Sequence, residues 1–321
     1  MLKQAINRRR TGNWKADVIQ SVRFYNDWFM NFAPHTYINA RQNAIQRVDA
    51  ALVATHCFHQ ITADVLASSP ETITILRKAT TPPLATDRLI GLSYAVPSLV
   101  ESMEKGKLPA KMDSRTLRSE LDKIIAVIDK LLDREIFPWL ADGRVPSEDA
   151  RLLAASIVAD RVCGSLADPI IRNEQERRQL ESIGKFLLQR GYTYLESKAV
   201  ADFRQMPAGS FAYHLNVPVK LTQTRGIKMP IDVVVMRHSA AAGELPLLIE
   251  CKSAGDFTNT NKRRKEEATK MEQLTKNYGR GIEFMLFLCG YFDSGYLGYE
   301  AAEGIDWVWE HRIEDLAKAG I

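Results

Sequence analysis

From Asp17 to about Val162, apolar residues recur at spacings of three and four, and the breaks carry proline or glycine at Pro82–Pro83, Pro97, Gly106, Pro109, Pro138 and Gly143. That is the helical period, so the first half of the chain is predicted to be mostly α. In residues 114–133, Leu117, Leu121, Ile124, Ile125, Ile128, Leu131 and Leu132 form one stripe, with Ser114 as the expected N-cap. A further helix is expected to open at Ser147, behind Pro146, with Glu148 and Asp149 in a first turn whose dipole favours acids. The pattern changes after Asp168–Pro169. A helix over 173–190 ends at Gly191, and short β-rich runs follow at 192–195, 213–221, 231–236, 245–252, 282–289 and 307–309, interrupted by a helix over 261–278. The stretch 290–304 reads as a structured loop. These runs predict an α/β fold in which one mixed sheet is flanked by helices, with residues 1–165 a helical domain and 166–321 a second, sheet-bearing domain.

Length agrees with that division, since 321 residues suit two domains at roughly 100–200 residues each. Hydrophobic residues at 45% and charged residues at 26% exclude a disordered chain, a collagen-like fibre and a coiled-coil rod. The net charge of +4 is too small to name a partner. Four scattered cysteines form no CxxC pair and no disulfide framework, which fits a reducing compartment. The basic N-terminus lacks the apolar run of a signal peptide, and no apolar stretch reaches the ~20 residues of a membrane span, so a cytoplasmic protein with no membrane partner is expected.

Candidate chemistry lies between two of the β runs. Asp232 opens Val233–Val234–Val235, and 18 positions later Glu250–Cys251–Lys252 follows Leu247–Leu248–Ile249. Alternate residues of a strand share a face, so Glu250 and Lys252 point one way and Cys251 the other. If the two strands form a hairpin, Asp232 comes close to Glu250. Two carboxylates converging at a strand end suit Mg²⁺, which keeps several waters and takes further ligands from phosphate. A lysine two residues on can orient or deprotonate a water and neutralise charge developing on a phosphorane.

Asp232…Glu250-Cys251-Lys252 resembles the PD-(D/E)xK signature of Mg²⁺-dependent nucleases, with Ile231 inserted between Pro230 and the acid. Together with the following block, residues 253–267, it resembles type II restriction endonucleases of the XamI kind, best over roughly 165–315. The resemblance implies a PD-(D/E)xK core behind a helical N-terminal domain, with Asp232 and Glu250 holding Mg²⁺ and Lys252 assisting the attacking water. It also implies hydrolysis of double-stranded DNA at a short palindrome to leave 5′-phosphate ends, and a cognate methyltransferase in the same restriction–modification system. Close kinship would imply the site GTCGAC. A palindrome has two-fold symmetry, so a prokaryotic homodimer is expected. The superfamily often places a further glutamate on the helix before the sheet, here Glu176 or Glu181.

The block has a physical oddity. With Thr260 or Asn261 as N-cap, Lys262, Arg263, Arg264 and Lys265 fill a helical first turn, where the dipole disfavours cations. Their pairing with Glu266 and Glu267 has the less favourable orientation. An external polyanion resolves this, and Thr258, Asn259, Thr260, Asn261, Lys262, Arg263, Arg264 and Lys265 are the expected DNA-contacting residues.

Other readings are a structure-selective repair or junction-resolving nuclease with the same metal chemistry, and a catalytically silent DNA-binding protein. His56, Cys57 and His59 sit on what reads as a helix and lack a fourth ligand at zinc spacing, so they read as packing residues.

Overall fold

The computed structural model describes residues 5–222, 225–258 and 260–321, with the side chains of residues 261–264 outside the description. Helical spacing in the first half becomes α1 (Thr11–Ala54), α2 (Ala63–Ser68), α3 (Thr72–Lys78), α4 (Thr86–Ser93), α5 (Pro97–Met103), α6 (Ser114–Leu131), α7 (Trp139–Asp142) and α8 (Glu148–Gln189). On α6 the stripe buries Leu121, Ile124 and Ile128. Its cap lies one residue earlier than expected, because Asp113 Oδ1 accepts from the N–H groups of Arg115 and Thr116 at 3.1 and 3.0 Å and satisfies two orphan donors at once. The opening of α8 is as expected, with Ser147 Oγ accepting from Ala150 N–H at 3.3 Å.

The break expected at Asp168–Pro169 does not form, and α8 runs through Pro169. A proline inside a helix removes one hydrogen bond. Here Cys163 and Ala167, in the turns before it, are fully buried, so packing holds the helix across the lost bond. His56, Cys57 and Phe58 form no helix: all three have left-handed φ, at 47°, 56° and 67°, in the turn after α1.

The second half contains β1 (Thr193–Leu195), β2 (Ser210–Lys220), β3 (Gly226–Met236), β4 (Leu247–Ala254), α9 (Thr260–Tyr278), β5 (Glu283–Gly290), α10 (Ser294–Ala302) and β6 (Asp306–Trp309), then a 3₁₀ segment, Glu310–Ala319. Among the described residues each of the six strands overlaps a run read from sequence, with β2 beginning three and β3 five residues earlier than expected. The stretch 290–304 is not a loop, since α10 occupies most of it and is capped by Asp293, whose Oδ1 accepts from Tyr296 N–H at 2.7 Å.

The chain divides into two compact units, Ala33–Ile171 and a second made of residues 5–32 with Arg172–Ile321. The helical unit is centred on Leu66, Ile73, Leu99, Leu121, Ile124, Phe137, Trp139 and Val158, all at most 1% exposed. Residues 5–32 group with the sheet rather than with the helical half that the sequence predicts for them, because their partners are at the far end of the chain. The buried Asp306 carboxylate accepts from the N–H groups of Ile6, Asn7 and Arg8 at 2.6, 2.9 and 3.0 Å, and Arg312 grips Asp17 with two bonds of 2.7 and 3.0 Å.

The six strands form one mixed sheet in the order β1-β2-β3-β4-β5-β6. β2, β3 and β4 are antiparallel neighbours, while β1–β2, β4–β5 and β5–β6 are parallel. One face packs on Trp14 and Val18 of α1, Met271 and Leu274 of α9, and Tyr296 and Leu297 of α10. The other packs on Ile183, Phe186 and Leu187 of α8 and Leu316 of the terminal segment. Among the described residues, no helix is long and apolar enough to cross a membrane.

The sheet has one irregularity. On β2, Ala212 faces α9 and so does Leu215, three positions on; on β3, Ile231 faces α9 and so does Val234. Strict alternation fails at His214 and Asp232, which lie between the paired positions Tyr213–Val233 and Leu215–Ile231. His214 has φ 52°, a left-handed conformation that resets the alternation and re-aims the side chains beside it.

Where β5 ends, Gly290 has φ 95°, and a Cβ there would lie 2.1 Å from the Ala254 carbonyl oxygen at the end of β4. Only glycine fits this approach. Gly290→Ala is expected to destabilise the protein by about 2–4 kcal/mol, read as a lower urea midpoint with unchanged slope.

Candidate active site

The antiparallel pairing of β3 and β4 runs Val235–Leu247, Val234–Leu248, Val233–Ile249. One step further in that register, Asp232 lies opposite Glu250. There a side chain takes over the ladder: the Cys251 N–H donates to Asp232 Oδ2 at 2.8 Å. Alternation on β4 turns Cys251 toward the α8 face and leaves Glu250 and Lys252 on the α9 side. Lys252 Nζ donates to Glu250 Oε1 at 3.0 Å. Gln179 on α8, 1% exposed, donates to the carbonyls of Lys252 and Phe287 at 3.4 and 3.1 Å, which pins β4 to β5 beneath the site.

Two side chains of α9 complete the cluster. Glu267 Oε1 pairs with Lys252 Nζ at 3.2 Å, and Lys270 Nζ donates to Glu250 Oε1 at 2.5 Å. Glu250 Oε2 is buried with no hydrogen-bond partner.

Burial first, and the Glu250 charge second, raise the Asp232 carboxyl from 3.8 to about 6, against the opposing pull of the Cys251 N–H and Lys252. Burial works against the Lys252 ammonium, but the carboxylates of Glu250 and Glu267 outweigh it and hold its pKa above the ordinary lysine value. Burial also raises Glu267, which Lys252 opposes.

Of the two glutamates left open on α8, it is Glu176 that reaches this region. One ligand atom each from Glu176, His214 and Asp232 lie within 4.8 Å of one another. Glu181 is exposed and paired with Arg177.

The structure describes the basic block only in part. Asn259 and the side chains of Asn261, Lys262, Arg263 and Arg264 lie outside the described residues. Thr258 and Lys265 are exposed, while Thr260 is 3% exposed and its hydroxyl donates to the Phe257 carbonyl at 2.9 Å.

Sequence reasoning brought Asp232, Glu250 and Lys252 together and missed Glu267, Lys270 and His214. The signal for Glu267 was present: it shares the helical spacing of Met271 and Leu274, so an acid sits on the buried stripe of α9. Nothing local marks His214, which is selected by cross-strand register.

A family model described as XamI restriction endonuclease matches residues 56–309, a span holding every residue of this cluster. The chain belongs to that family. It is 50% identical over 315 residues to the type II restriction enzyme SalI of Streptomyces albus G, covering 98% of this chain and 99% of that protein. Identity to the type II restriction enzyme XamI of Xanthomonas campestris pv. amaranthicola is 29% over 210 residues, 64% of this chain and 66% of that one. Among solved structures, protein VC1899 of Vibrio cholerae aligns with 11% identity and a TM-score of 0.29 over 86% of this chain and 57% of its own, a likeness that carries no argument. This XamI-family member is a sequence-specific type II restriction endonuclease, and its mixed six-stranded sheet flanked by helices is compatible with a restriction-endonuclease-like fold.

Proposed function

We propose that this XamI-family enzyme carries a PD-(D/E)xK catalytic centre and hydrolyses double-stranded DNA in a Mg²⁺-dependent reaction that leaves 5′-phosphate and 3′-hydroxyl ends. The observation that carries the reading is that Asp232 stands one step beyond the last β3–β4 pair, Val233–Ile249, and accepts from the Cys251 N–H next to Glu250, with Lys252 bonded to Glu250. The donor set fits a hard divalent cation. Glu250 Oε2 is a buried acceptor with no donor, and a shared cation would offset both the burial and, after it, the Glu250 repulsion that raise Asp232.

Asp232 and Glu250 would hold the ion, which would supply acidity to a water and offset charge growing on the phosphate. Lys252, held as an ammonium between Glu250 and Glu267, acts as donor: it orients the attacking water and stabilises the phosphorane oxygens. Glu176 and His214 border the site beside Asp232. Two-fold symmetry of a palindromic site favours a homodimer with one such centre per strand, and a cognate methyltransferase protects host DNA. GTCGAC is the site that close kinship to XamI would imply, and mapping the fragment ends tests it. Digestion of a sequenced plasmid with Mg²⁺, with EDTA as control, tests the reading: discrete fragments with 5′-phosphate ends at one sequence support it, and equal cutting in EDTA overturns it.

The first turn of α9 is proposed to meet the DNA backbone, with Lys262, Arg263, Arg264 and Lys265 as the cations. Replacing Arg263 and Arg264 by alanine is expected to weaken binding, measured with Ca²⁺ in place of Mg²⁺, by about tenfold, and to flatten log K against log salt by roughly one per lost phosphate contact. Unchanged affinity and slope would place the DNA elsewhere.

A further inference from the structure

The α9 side chains Glu267 and Lys270, three residues apart and so on one helical face, touch Lys252 and Glu250, and beyond the charge that Glu267 lends Lys252 the chemistry above gives them no part. Glu267 is 0% exposed, neither of its oxygens has a hydrogen bond, and it pairs with Lys252 Nζ at 3.2 Å. It stands on the stripe that buries Met271 and Leu274, where a leucine would pack at no electrostatic cost, so a carboxylate there needs a reason. Lys270 puts its ammonium on Glu250 Oε1, the same oxygen that Lys252 reaches. The result is a line of alternating charge, Glu267, Lys252, Glu250, Lys270, whose two ends belong to one helix and whose middle belongs to one strand.

We propose that Glu267 and Lys270 are positioning residues for cleavage. Glu267 gives the Lys252 ammonium a second anchor beside Glu250 Oε1, so that it keeps its place for the attacking water when Glu250 turns its oxygens to a divalent cation. Lys270 holds Glu250 Oε1 in the metal-free enzyme and yields it when a divalent cation binds, which frees its own ammonium for the DNA phosphate. The helix that carries this pair also carries the basic first turn, so the rigid element engaging DNA is the one that sets Lys252 and Glu250. The inference rests on the proposed Asp232–Glu250–Lys252 centre.

The test compares wild type, Asp232→Asn, Glu267→Gln, Glu267→Asp and Lys270→Met, measuring single-site cleavage kinetics, melting temperature, and Ca²⁺ affinity without DNA. Glu267→Gln is expected to lower kcat by about 30–100-fold with KM for DNA changed less than about twofold. Its melting temperature should not fall, because a buried charge is lost, and Glu267→Asp should restore about tenfold of the activity by keeping the charge. Lys270→Met, at a partly exposed position that does not test folding, should tighten Ca²⁺ binding by roughly five- to tenfold because a competing cation is gone. If Glu267→Gln has wild-type kcat, or if Glu267→Asp is no better than Glu267→Gln, the role of Glu267 is overturned. If Lys270→Met leaves Ca²⁺ affinity unchanged or weaker, the role of Lys270 is overturned. Asp232→Asn separates the two levels: if it cuts like wild type, the centre itself is wrong, whereas if it is dead while Glu267→Gln is fully active, only this inference fails.

Discussion

Asp232→Asn is expected to abolish DNA cleavage, by about a thousandfold or more, while raising the melting temperature of the metal-free protein at pH 8. The two effects share one cause. Burial and the neighbouring Glu250 hold the Asp232 carboxyl at about 6, above its ordinary 3.8. A carboxyl with a raised pKa opposes folding once it ionises, so this penalty is absent below about pH 4 and complete above about pH 6. Each tenfold of proton affinity is worth about 1.4 kcal/mol, so Asp232 costs on the order of 2 kcal/mol at pH 8 after allowance for its partial exposure. Asparagine removes that charge and keeps an oxygen for the Cys251 N–H. The gain in melting temperature should be a few degrees at pH 8 and vanish near pH 4. A destabilised Asp232→Asn at pH 8 would contradict the electrostatic account of the site.

The second large effect is the response to divalent cations. At pH 8 Asp232, with its carboxyl at about 6, meets a cation without a competing proton, and saturating Mg²⁺ or Ca²⁺ at about 100 times Kd should stabilise the fold by about 2.7 kcal/mol. Below the Asp232 value of about 6 a proton occupies the ligand, so the same addition at pH 5 should give about half the shift. Thermal melts with and without Ca²⁺ at the two pH values check this, and Asp232→Asn should flatten both. An equal shift at pH 5 and pH 8 in wild type would mean that the cation binds elsewhere.

Legibility from sequence followed the range of the interactions involved. Strand positions were readable because β-branched and aromatic runs are local, and the Asp232–Glu250 approach was readable because a hairpin with an 18-residue offset leaves few registers that bury Val233 through Val235. The course of α8 through Pro169 was not readable, since burial of Cys163 and Ala167 outweighs the local break. The helix α10 was hidden by glycines that read as loop, although Asp293 caps it. Placement of residues 5–32 with the sheet depends on Asp306 and Arg312, about 300 residues away, and nothing near Asn7 or Asp17 announces them. Glu267 looked like one half of a surface ion pair with the basic block. Only the packing of α9 onto the sheet reveals that it faces Lys252.

The most direct measurement is single-turnover cleavage of a short duplex bearing the mapped site, at saturating Mg²⁺, by wild type and by Asp232→Asn, with binding of both proteins to the same duplex followed in Ca²⁺. Wild type should cut both strands, and Asp232→Asn should bind the duplex and leave it intact. Cleavage by Asp232→Asn at the wild-type rate would contradict the assignment of the metal-binding acids to β3 and β4.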